Sequence, residues 1–210
     1  PGLQAGETGV LDYDYQPGFR VGAGFTMDNC NQIQFMYSQL DATSTDAIGA
    51  TAPDVIRSLV IHPNSPNAGS NWLDANSNGE VRFNLLDVAY RGLIASCSDY
   101  EVAYLVGVRY ARFEQFFQAN YNNVGTETVT SSVDFDGVGM RLGMDFTRYG
   151  RNNQLFVYGK GYASLIGGRF ENAYLQSNQG DPVVAQTSWE AGRVVTMLDM
   201  EAGLGWQSCG

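Results

Sequence analysis

Within VDFDGVGMRLGMDF (Val133–Phe146), residues 137–146 alternate strictly. One parity reads Val138, Met140, Leu142, Met144, Phe146; the other reads Gly137, Gly139, Arg141, Gly143, Asp145. A period of two is the signature of a β-strand, whose successive side chains point to opposite faces. A strand of a soluble sandwich also alternates, with its apolar parity in the core and its polar parity in water. Glycine, however, weakens a solvated strand. The interior of a narrow barrel has a use for it, because small residues leave room for long charged side chains crossing from other strands. The segment is therefore read as an inside-out strand, with large apolar groups outward and glycine, arginine and aspartate inward.

Six further runs share this period, so that strands are expected at about 17–28, 31–41, 79–94, 100–117, 131–148, 153–170 and 189–207. In the first, Phe19, Val21, Ala23, Phe25 and Met27 oppose Arg20, Gly22, Gly24 and Thr26. In the third, Val81, Phe83 and Leu85 give way to Leu86, Val88 and Tyr90, a change of parity that predicts a β-bulge. Short links (DNCN, SCSD, YGRNN) follow the first, third and fifth runs, and long polar links at about 42–78, 118–130 and 171–188 follow the second, fourth and sixth. Short turns at one end and long loops at the other are the asymmetry of bacterial outer-membrane barrels, whose short turns are periplasmic.

The expected fold is all-β: one antiparallel up-and-down transmembrane β-barrel domain over residues 1–210, with about seven strands visible and eight or more in the complete protein. Because the first run ends in a short turn, an upgoing strand is expected before residue 17, with residues 1–16 holding its remnant. A further hairpin beyond QSCG would fit the same pattern.

The inward parity collects Arg20, Asp87, Arg91, Glu101, Arg109, Arg141, Asp145, Lys160, Arg193, Asp199 and Glu201. Six bases against five acids, close to neutral, can fill an interior as a salt-bridged network, or line a narrow pore and set its selectivity. Both readings stay open. Outside this set the chain holds 17 acids and 6 bases, so the loops and turns hold the net negative charge. Such a balance argues against nucleic-acid binding.

No apolar run approaches the roughly 18 residues of a membrane helix. The single histidine, His62, has no companion nucleophile motif, and the cysteines lack metal-ligand spacing. No enzyme activity, cofactor or metal site is expected. Cys30, Cys97 and Cys209 all fall in predicted short turns, where Cys30–Cys97 or Cys97–Cys209 pairing and free thiols are equally open. DANSNGE (Asp74–Glu80) matches the opening of a calcium loop but places Leu85 where the bidentate Glu belongs, so an Asn/Asp turn leading into a strand is the better reading. Tyr90, Tyr104, Tyr149, Trp189 and Trp206 near strand ends fit interfacial aromatic girdles.

The ordered segments YQPGFRVGAGF, QIQFMYSQLDA, LLDVAYRG, YLVGVRYARFEQ, DFDGVGMRLGMDF, LFVYGKGYASLIGGRF and MLDMEAGLGW resemble the Legionella-type major outer membrane protein family of pore-forming barrels. That resemblance implies an outer-membrane location and a porin-like or adhesive role, and it transfers no catalytic residue. Passive passage of ions or small solutes is the first expected function. A plugged barrel anchoring acidic surface loops is the second, and a soluble β-barrel binder the third. The expected partners are outer-membrane lipid and ions or small solutes, with no prediction of oligomeric state.

Overall fold

The computed structural model describes residues 8–28, 30–123, 125–150 and 154–206. Seven strands run in chain order: β1 (Gly18–Thr26), β2 (Asn31–Gly49), β3 (Asp74–Ser96), β4 (Tyr100–Asn122), β5 (Thr126–Tyr149), β6 (Leu155–Asn178) and β7 (Ala185–Trp206). Each pairs antiparallel with its sequence neighbours in one up-and-down sheet ordered β1 to β7. All seven expected strands are present. Residues 8–17, the described part of the expected remnant, form no strand. Val10 and Ser44 tie this segment to β2 instead, through Val10 N–H to Asp46 and Ser44 Oγ–H to the Asp12 carbonyl.

The sheet is strongly curled. β4 and β7 would lie about 14 Å apart in a flat sheet, yet Arg109 on β4 sits 2.6 Å from Asp199 on β7. β1 and β7 are the two edges of the sheet, and Arg20 reaches Glu201 across them at 3.0 Å. Among the described residues, those edges share no backbone ladder. The architecture is thus an antiparallel wall curled toward a barrel, with the charged parity on its concave face.

The convex face is apolar over a defined height. On β4 it carries Tyr100, Val102, Tyr104, Val106, Val108 and Tyr110, and on β5 Val138, Met140, Leu142, Met144 and Phe146; all except Val102 are exposed. Tyr100 to Tyr110 spans about 33 Å of strand, or about 25 Å of height at a barrel-like tilt of about 40°. Tyr90, Tyr104 and Trp206 lie on this face as expected, whereas Tyr149 and Trp189 share the concave parity of β5 and β7.

Two expectations about β3 fail. The strand starts at Asp74, so DANSNGE is ladder rather than turn, paired with β2 and β4 throughout. The register also runs unbroken through Leu85 and Leu86, and the single shift falls at Leu93/Ala95. Val81, Phe83 and Leu85 therefore share the concave side with Asp87. The change of parity marks an apolar layer of the interior rather than a bulge. Loop lengths change as well. The long polar links shrink to 50–73, 123–125 and 179–184, because their flanks continue as strand.

Candidate functional site

The concave face is built in layers. Nearest the short turns, Arg91 Nε donates to Asp145 at 2.9 Å and Arg91 Nη2 to Glu101 at 2.5 Å, while the Tyr162 hydroxyl donates to the other Asp145 oxygen at 2.7 Å. The next layer centres on Asp87, which accepts both Arg109 Nε (2.6 Å) and Arg109 Nη2 (2.9 Å) in a fork, and also Arg141 Nη1 (2.7 Å). Arg109 spends its remaining terminal nitrogen on Asp199, and the Arg141 guanidinium stacks 4.1 Å from the Tyr162 ring centre. Arg109 is 1% exposed and Asp87 3%. Toward β1 the charges become wet: Arg20, Lys160 and Glu201 join in exposed pairs, with the Arg20 side chain 48% accessible. A cavity of about 40 Å³ lies between the two groups, bounded by Gln34, Met36, Asp87, Arg141, Lys160 and Glu201.

Ten of the eleven ionisable residues expected on the inward parity are joined by these pairs. Arg193 is not among them: it is exposed and lies 5.7 Å from the Trp189 ring, on the sheet's edge strand β7. The glycines of this face serve close approach more than room for arginine. A Cβ on Gly139 would come within 1.9 Å of the Leu165 carbonyl oxygen, and one on Gly143 within 2.0 Å of the Tyr162 ring on which Arg141 stacks.

Beyond the ionic layers lies a hydrophobic one that the sequence reading missed. Phe83, Phe113, Phe135 and Phe170 stand directly opposite one another on four consecutive strands. They pack against the buried Leu85, Ala111 and Ile166 with Val195 and Met197. The signal was there in parity, since each of these phenylalanines lies an even number of residues from a charged inward position of its own strand.

The long-loop end is capped from inside. The 50–73 loop folds onto the concave face, where Ile61 and Trp72 pack on Ala75, Ala119, Tyr121 and Val129. Its polar groups are matched too: His62 N–H donates to Gln176 Oε1 at 3.0 Å, Asn67 Nδ2 to Glu127 at 2.7 Å, and the Tyr174 hydroxyl to the Val60 carbonyl at 3.0 Å. Glu127 and Gln176 are completely buried beneath it. At the opposite end Cys30 and Cys97 are exposed free thiols, and Cys209 lies outside the described residues. The Asn31 amide and the Cys30 backbone N–H hold the Asp28 carboxyl below its ordinary range.

A family model described as the Legionella pneumophila major outer membrane protein precursor matches residues 3–210. The chain belongs to that family. Membership places it in the outer membrane and agrees with the curled up-and-down sheet and its outward apolar band. No curated protein and no solved structure matches the chain.

Proposed function

We propose that this member of the family is a porin-like barrel, its convex band facing lipid, that passes ions or small solutes passively along one side of its interior. The observation carrying this reading is a concave face lined by charges of both signs and curled until Arg20 on β1 meets Glu201 on β7. Arg109 and Asp87 on β3 and β4 are dry, whereas Arg20, Lys160 and Glu201 on β1, β6 and β7 are between one third and one half accessible. Ionisable side chains of both signs facing an interior suit a hydrated path, and the three exposed ones lie at or beside the open β1 and β7 edges. The acidic excess outside the network favours cations at the mouths.

The second reading, a plugged barrel that anchors an acidic surface, is favoured by the phenylalanine layer and the infolded 50–73 loop. Planar-bilayer recording of the full-length protein decides between them. The expected result is small, cation-preferring steps; a bilayer with inserted protein and no steps would leave the plugged reading in its place.

A further inference from the structure

On the convex face, just beyond the long-loop edge of the apolar band, β2, β3 and β4 leave an open groove of about 510 Å³. Asp41, Glu80, Arg82, Asn84, Arg112 and Glu114 line it. The register sets their arrangement: Asp41 faces Arg82 and Arg82 faces Glu114, while Asn84 faces Arg112. Arg82 and Arg112 are thereby diagonal neighbours on adjacent strands, with Cβ atoms about 7–8 Å apart. Both side chains are more than half exposed. Arg82 sits 3.6 Å from Glu80, and Arg112 donates one terminal nitrogen to Glu114. A guanidinium carries five donors, so each arginine keeps capacity for a ligand.

Two tyrosines fix the height of the groove. Tyr37 and Tyr110 occupy the last row of the apolar band, one outward residue below Gln39 and Arg112. The Tyr37 hydroxyl donates to Gln39 (3.1 Å) and Asn84 (3.0 Å), and the Tyr110 hydroxyl to Asp136 (2.6 Å). A ring in the apolar band with its hydroxyl in a polar belt marks the level where hydrocarbon meets headgroups. The groove opens at headgroup depth.

Two arginines among three carboxylates suit neither a plain anion nor a plain cation. They suit a ligand that carries both charges a short distance apart. We propose that this groove binds an ethanolamine-phosphate lipid headgroup, its phosphate on Arg82 and Arg112 and its primary ammonium on the carboxylates of Asp41 and Glu80. The acyl chains then lie along Leu86 and Val88, which continue the same outward row of β3. This site is independent of whether the interior conducts.

The test uses the folded protein in a neutral maltoside detergent, offered dioleoylphosphatidylethanolamine, dioleoylphosphatidylglycerol or dioleoylglycerol, with retained lipid read by native mass spectrometry. The acyl chains are identical, so differences report the headgroup. The ethanolamine lipid should be held roughly tenfold more strongly than the glycerol lipid, the scale of one charge-assisted contact. The double variant Arg82→Ala/Arg112→Ala should lose roughly that factor, and Arg169→Ala, in the same polar belt on β6, should lose none. Equal retention of the ethanolamine and glycerol lipids by the unaltered protein overturns the proposal, even where the double variant does not fold. Undiminished retention by a folded double variant overturns the assignment to this groove. Complete displacement by free phosphoethanolamine would show a soluble ligand instead of a lipid.

Discussion

Asp87 holds two guanidiniums at once in a space that water scarcely reaches. Three forked or single bonds of 2.6 to 2.9 Å converge on its two oxygens. Taking the charge from this one residue would leave Arg109 and Arg141 dependent on Asp199 alone. Asp87→Asn is therefore expected to destabilise the folded protein by about 3–5 kcal/mol, the cost of uncovering a buried charge. Urea unfolding in detergent micelles, followed by tryptophan fluorescence, measures this directly, and a loss under about 1 kcal/mol would show the layer to be hydrated. Glu201 presents the contrast. Its pairs with Arg20 and Lys160 are one-third or more exposed and screened by solvent. Glu201→Gln should cost no more than about 1 kcal/mol on the same assay. Chemically similar ion pairs on one face thus differ severalfold in their contribution, because only some of them are dry.

At the scale of strands and loops, the apolar band and the ladders have different lengths. The ladders of β2 to β6 continue beyond the outward band toward the long-loop end, where Asp41, Arg82, Glu114, Asp134 and Glu171 stand opposite one another in one outward row. The proposal that the band faces lipid predicts a position-dependent penalty. Leu142→Arg, at the middle of the β5 band, should lower folding stability in phospholipid vesicles by about 2–4 kcal/mol, while Ser132→Arg, on the same outward parity but in the polar belt, should cost less than about 1 kcal/mol. Equal costs would mean that the convex face is not in hydrocarbon. This mismatch of lengths also explains what could be read in advance. All seven strands and their two faces were legible, since inside the band the outward positions are almost all apolar or glycine and the period of two is clear. Strand ends such as Asp74–Glu80 and Thr126–Thr130 were not, because in the polar belt both parities are polar and nothing distinguishes ladder from loop. The pairs of Arg109 with Asp87 and Asp199 were foreshadowed by parity, yet their grouping into dry and wet sets depends on curvature that no single strand encodes. The docking of 50–73 was invisible for a similar reason: Ile61 and Trp72 carry no periodic pattern. Its stability can be tested separately. Trp72→Ala removes the largest buried side chain of the loop and should weaken docking by up to about 3 kcal/mol. Proteolysis within 50–73 should then accelerate while the strands stay resistant, and an unchanged cleavage rate would show that Trp72 does not hold the loop.

For the molecule as a whole, the concave face is packed over β3 to β6 and open toward the β1 and β7 edges. Buried ion pairs, the phenylalanine ladder and the docked loop pack against β3 to β6. Conduction, on the proposed reading, follows β1, β2, β7 and the adjoining part of β6, where Arg20, Gln34, Lys160 and Glu201 border the cavity. Selectivity should then answer to the wet charges and ignore the dry ones. Glu201→Gln removes a carboxylate from the path and should lower the cation-to-anion permeability ratio by about twofold to fivefold, since an exposed unit charge at short range is worth about 1 kcal/mol in water. Lys160→Gln should raise the ratio by a similar factor. Exchanging a dry pair away from the cavity, in the double variant Arg91→Asp/Asp145→Arg, keeps the net charge and should leave the ratio unchanged in whatever fraction folds. Reversal potentials under a salt gradient across a planar bilayer give all three numbers. If the exchange of the dry pair moved the ratio as much as Glu201→Gln, the path would run through the centre of the ionic layer, and that layer would have to open for ions to pass.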